Sequence, residues 1–137
     1  MKRIRAVRAK AGLFAGAVVM AGLSAGTAPA QAEDRPRYEC DTGYVCFYSM
    51  ANGYGEKCSW EGSDAIWRVS PGVCSWAHYD SAGSVFNNGT SGMDVLYYDQ
   101  AGQHGSDKVG CVSKGEKKNI SGTHYLASHK WVGGTNC

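Results

Sequence analysis

Six cysteines, Cys40, Cys46, Cys58, Cys74, Cys111 and Cys137, are the residues of this 137-residue chain with most chemistry to offer. Thiolates ligate zinc, act as nucleophiles or pair as disulfides, and spacing separates these roles. There is no C-x-x-C, and His78, His104, His124 and His129 fall at no ligand interval, so zinc is set aside. Nucleophilic and metal-assisted hydrolysis are equally unsupported. The chain has no G-x-S-x-G, no H-E-x-x-H and no carboxylate pair in a legible context. The sequence thus predicts a protein that is not an enzyme, with no catalytic residue, no metal and no cofactor. In an exported small domain, the even count implies three disulfides among fifteen possible pairings.

Export is written at the start of the chain. Lys2, Arg3, Arg5, Arg8 and Lys10 precede an apolar run from Ala11 to Gly26, and Ala28-Pro29-Ala30 and Ala30-Gln31-Ala32 offer small-x-small cleavage sites. A spanning helix needs about 20 apolar residues, so residues 1–32 read as a signal peptide rather than an anchor. Residues 33–39, charged and carrying Pro36, read as a flexible leader. All six cysteines lie in the exported part. Five of the fourteen Lys and Arg but no acid lie in 1–32, which leaves nine basic against twelve acidic residues, a formal charge of −3. No basic stripe remains for nucleic acid, and no membrane partner is expected.

Positioning these residues falls to a β-rich chain of one-domain size, with 15 of its 105 exported residues glycine. Its organising feature is a repeat: Val45-Cys46-Phe47-Tyr48 through Gly55 returns as Val95-Leu96-Tyr97-Tyr98 through Gly105. Val, Tyr, Ala (Ala51 and Ala101) and Gly recur in place, each copy a strand that breaks into a hairpin. The Gly seven residues after each Tyr is expected where φ is positive or another backbone approaches closely. Return strands are expected at Glu56–Trp60 and Lys108–Val112, a short helical piece at Ala65–Arg68 capped near Asp64, and a strand at Gly83–Phe86 ending in Asn87-Asn88-Gly89. Lys114–Lys118 reads as a polar loop, and Tyr125–Ser128 with Lys130–Val132 closes the sheet. Ser84 and Ser128 hold matching places, suited to bonding the backbone of each hairpin. Trp60, Trp67, Trp76 and Trp131 are expected mainly in the core, with a sugar-stacking face as the other use of such rings.

The two halves resemble βγ-crystallin Greek-key motifs through Tyr48, Gly55, Ser84 and Tyr98, Gly105, Ser128. With Cys40-Asp41-Thr42-Gly43-Tyr44-Val45-Cys46 and the exported setting, the chain resembles the actinobacterial metalloproteinase-inhibitor family over residues 40–137. The resemblance implies an all-β, disulfide-bonded sandwich of two Greek keys, motif one about 44–92 and motif two about 93–137. It implies a secreted, monomeric peptidase inhibitor whose partner is an extracellular protease, thermolysin-like ones included. A non-inhibitory module binding glycan or calcium on the same fold is the alternative. Two departures stand out: Gly53 and Gln103 replace the aromatic usual two residues before the motif Gly, and the calcium segments Asp80–Ser84 and His124–Ser128 lack most oxygen ligands.

The resemblance also implies bridges and a site. Cys40–Cys46 matches the family's opening loop, and Cys58–Cys74 with Cys111–Cys137 would keep the repeat symmetric. The family offers its protease a Cys-Val bond on a loop of the second motif. Lys108-Val109-Gly110-Cys111-Val112-Ser113 is similar to that segment, so Cys111, Val112 and Ser113 are the protease-binding candidates. The family's loop is closed by a cysteine soon after; here the next is Cys137. The competing reading of Cys111-Val112 is an ordinary return strand carrying a structural disulfide.

Overall fold

Among the described residues, short β-prone runs broken by Gly and Asn fold into seven strands. They are β1 (Val45–Tyr48), β2 (Lys57–Trp60), β3 (Ser84–Asn87), β4 (Asp94–Tyr98), β5 (Lys108–Val112), β6 (Lys117–Asn119) and β7 (Ser128–Val132). A computed structural model describes residues 37–69, 73–134 and 137, all within one compact unit. The signal-peptide reading of 1–32 and residues 33–36 of the leader lie outside the described residues. Among the described residues the only helical pieces are three-residue 3-10 turns, and no helix is long and apolar enough to cross a membrane.

The strands form two antiparallel sheets, ordered β2-β1-β3-β6 and β5-β4-β7. The repeat is visible in the register. Tyr48 pairs with Lys57 on one side and Ser84 on the other; Tyr98 pairs with Lys108 and Ser128. In each half the last strand returns beside the first, and the halves exchange their third segments. β6 of the second half pairs with β3, while Asp64 of the first half bridges His129 in β7.

β1 explains where the core lies. Successive strand side chains point to opposite faces, so Val45 and Phe47 enter the main core with Trp67, Trp76, Val95, Tyr97, Val112 and Leu126. Cys46 and Tyr48 point the other way and pack with Phe86 under Tyr38, Cys40 and Tyr44. That second layer corrects the leader. Arg37–Glu39 are docked: the Arg37 amide donates to the Asn52 carbonyl at 2.7 Å, Tyr38 meets Tyr48 edge-on at 5.7 Å, and the Tyr48 hydroxyl donates to the Glu39 carbonyl at 2.9 Å. An apolar outer face on β1 needs a cover, and Tyr38 supplies it.

Other expectations are revised. Ala65–Arg68 is a bend and turn rather than a helix; the Asp64 carboxylate does cap the Ile66 amide at 2.8 Å, but Asp64 is bridged to His129 and the Trp67 amide donates to the Ala127 carbonyl at 2.9 Å. Part of the polar loop is strand β6, and Tyr125–Ala127 is not strand. Gly55 has φ +82° and an added Cβ would press on Ser49, whereas Gly105 has neither need: its hairpin turns at Gly102 (φ +94°) and Gln103 (φ +60°). The matched serines do bond the hairpins. Ser84 Oγ donates to the Met50 carbonyl at 2.7 Å and accepts from the Gly53 amide at 2.9 Å, and Ser128 Oγ donates to the Gln100 carbonyl at 2.6 Å.

Candidate functional site

Cys111 and Val112 end β5, an edge strand, and Ser113 opens the turn into β6. Val112 is 0 % exposed; it faces Val95 across the ladder and belongs to the main core. The competing reading of this pair as a return strand thus describes where Val112 sits. Cys111 is half-buried and bridged to Cys137, whose amide donates to the buried Asp94 carboxylate at 3.1 Å. Asp94, Cys111 and Cys137 lie together, but both sulfurs are in the bridge and offer no thiolate to a metal.

The turn after Val112 is braced from both sides. The Ser113 amide donates to Glu116 Oε2 at 2.8 Å, and the Glu116 amide returns to the Ser113 carbonyl at 3.0 Å. Gly115, at φ +76°, permits the reversal. Beneath it lies Asn87, fully buried, whose side-chain amide donates to the Val112 carbonyl at 3.2 Å and the Met93 carbonyl at 3.0 Å. Its backbone bonds Gly115 and Glu116 at 2.8 and 3.1 Å. Sequence reasoning read Asn87 only as the start of a turn; nothing local announces a buried amide serving a segment 25 residues away. Lys114 and Gly115 are exposed and Ser113 half-buried, so this turn, not the Val112 side chain, is what the segment presents.

The remaining candidates resolve into structure. Trp67 and Trp76 are buried, so they form no sugar-stacking face; Trp60 stacks on Trp67 at 4.6 Å and lines an open cleft of about 810 Å³. In the calcium-like segment, Ser84 is committed to the hairpin and the Asp80 carboxylate to the Ser81 amide. His129 is buried between partners that fix its tautomer: Nδ1 accepts from Trp67 Nε1 at 2.8 Å, so Nε2 carries the proton and donates to the Gly62 carbonyl at 2.7 Å. Burial holds its pKa down at about 4, against smaller upward pulls from the Gly62 bond and Asp64. This is a core histidine.

The three bridges are Cys40–Cys46, Cys58–Cys74 and Cys111–Cys137. Residues 33–109, more than half of the chain, match the sequence model of Peptidase inhibitor family I36. No curated protein matches, and no solved structure does.

Proposed function

The chain belongs to peptidase inhibitor family I36, which makes it a non-enzymatic protein with a protease partner, and on that premise we propose that it is a secreted, monomeric inhibitor of metalloproteinases, thermolysin-like ones included. The family match is the observation that carries this reading. The reading takes the exchange of third segments between the halves as a βγ-crystallin-like pair of Greek keys. Residues 1–32 act as its signal peptide. Inhibition is by protein–protein binding, with no bond made or broken by the inhibitor.

The contact runs through the Cys111–Ser113 segment at its exposed end. Extracting Val112 into a protease pocket would forfeit its burial, about 1.5–3 kcal/mol, or roughly 10- to 150-fold in affinity. Ser113 and Lys114 carry the contact instead, on a turn stiffened by Asn87 and Glu116 and backed by the Cys111–Cys137 bridge. Preorganisation of this kind lowers the entropic cost of binding.

The test is a panel assay of the oxidised 33–137 protein against thermolysin-like, serine and cysteine proteases. We expect a metalloproteinase to be inhibited and Lys114→Glu to weaken that inhibition about ten-fold. Inhibition confined to serine or cysteine proteases would refute the metalloproteinase assignment. An unchanged inhibition constant in both Lys114→Glu and Ser113→Glu would remove the turn from the contact.

A further inference from the structure

We propose that β2 is an open sheet edge suited to pair with β2 of a second copy of this chain, in a two-fold antiparallel register centred on Ser59. The pairing is concentration-dependent. It goes beyond the inhibitor reading, in which the chain meets its protease in dilute solution as a monomer.

β2 is the outermost strand of the β2-β1-β3-β6 sheet. One bond fixes the phase of its backbone. The Ser49 amide donates to the Glu56 carbonyl at 3.0 Å, one step beyond the Tyr48–Lys57 pair. Antiparallel ladders alternate, so Cys58 and Trp60 turn their amides and carbonyls to β1, and Lys57 and Ser59 turn theirs outward. Among the described residues, no other segment bonds these outward groups. Both residues are exposed, and an open cleft of about 810 Å³ is lined by every residue from 57 to 64.

The other three sheet edges are blunted, as exposed edges usually are. Along β7, Asp64 bonds His129 through both its amide and its carbonyl, and Ser63 Oγ accepts from the Trp131 amide at 2.9 Å. β6 is three residues long and presents Lys117 and Lys118, which would repel a second copy of themselves. β5 shifts register against β4 beside Tyr97 and Tyr98 and carries the Cys111–Cys137 bridge near its end.

The residues of the open edge say what fits it. An antiparallel neighbour centred on Ser59 sets Ser59 against Ser59, in the phase that lets the outward groups bond. It also sets Lys57 against Glu61, the residue after the strand, on both sides of the axis. Opposite charges directly across a ladder attract, and like charges repel. A lysine on an edge ordinarily turns an added strand away; here the same chain supplies its counter-charge four residues on. The Lys57 ammonium donates to the Glu39 carbonyl at 3.2 Å and keeps two further donors for a carboxylate. Slipping the register by two residues, the smallest step that keeps the bonding phase, gives up both charge pairs. Cys58 and the half-buried Trp60 come opposite each other across the joint, which gives the indole more cover. The two-fold axis closes the joint, so it makes a dimer and not a fibre. β6 stays at the far edge of the sheet, so the Ser113–Glu116 turn that leads into it is left free in both copies.

A joint of one four-residue strand is small beside the interfaces of permanent dimers. Sedimentation of the oxidised 33–137 protein should therefore show monomer at about 1 μM and dimer on approach to about 1 mM. Glu61→Lys sets lysine against lysine twice and should weaken association about ten-fold or more. Adding Lys57→Glu to it restores both pairs and should recover the dimer. Ser59→Pro removes an outward amide that the β1 ladder does not use, and should abolish pairing. If its melting temperature falls in dilute solution, the charge variants alone decide. A wild type that stays monomeric at the highest concentration would overturn the proposal. So would a dimer equally strong in Glu61→Lys and Ser59→Pro, or a charge-swapped double variant no stronger than Glu61→Lys. None of these outcomes touches the inhibitor reading, which is read separately by the protease panel in dilute solution.

Discussion

His129 shows what one side chain contributes here and what its protonation would undo. As a neutral imidazole it accepts from Trp67 and donates to Gly62, joining β7 to the first half of the chain. A second proton on Nδ1 would point one donor at another. The unfolded chain takes up that proton near pH 6.5, while the folded protein resists until about pH 4. Between those values the unfolded state holds more protons, so stability is fully present above pH 6.5 and declines as pH falls. By pH 4 the loss reaches about 3 kcal/mol. Asp64, facing the ring from the bridging segment, favours the protonated form and moderates the loss. Denaturant unfolding at a series of pH values from 7 to 4 would measure it. A stability that stays flat over that range, or a decline kept in His129→Asn, would remove this histidine as the cause.

Strands and hairpins carry the next set of constraints. In the first half, Ser84 Oγ satisfies both the Met50 carbonyl and the buried Gly53 amide. Ser84→Ala leaves a buried donor unpaired, and we expect a cost of about 1–3 kcal/mol, read as a shift in the denaturation midpoint. A shift indistinguishable from that of an exposed Ser→Ala, such as Ser59→Ala, would show the bond to be dispensable. The serine pair was legible because the repeat placed Ser84 and Ser128 at equal standing beside Tyr48 and Tyr98. So were β1, β4 and β5, where β-prone residues and Gly or Asn breaks coincide. The helix expected at Ala65–Arg68 failed for a physical reason: Asp64 bonds across to His129, and a partner 65 residues away overrides local propensity. Tyr38 was misread as leader because polar neighbours hid a ring that the outer face of β1 needs. Val112 was legible as strand, but its complete burial depended on Val95 opposite it and on the main core, which only the packed sheets bring together.

The domain as a whole is a small core closed by three covalent ties, and the ties differ in access. Cys46 and Cys74 are fully buried and their partners Cys40 and Cys58 half-buried, so each of these bridges has one sulfur shielded from a reductant. Cys111 is half-buried and Cys137 exposed. Thiolate attack needs access to a sulfur, so Cys111–Cys137 should open first in mild reductant under native conditions. In the chain-entropy model its 26-residue separation contributes about 3.5 kcal/mol, within the range of about 5–15 kcal/mol that holds a typical domain. The singly reduced protein should therefore stay folded but melt at a lower temperature. Loss of all three ties, about 9 kcal/mol on the same model, should leave little or no native population. Timed alkylation with peptide mapping reads the order directly, and melting of the singly reduced species reads the cost. Labelling of Cys46 or Cys74 before Cys111 and Cys137 would show that the molecule opens from its core rather than from this edge. The same species tests the contact proposed at Ser113 and Lys114. With the bridge behind the turn gone, its inhibition should weaken.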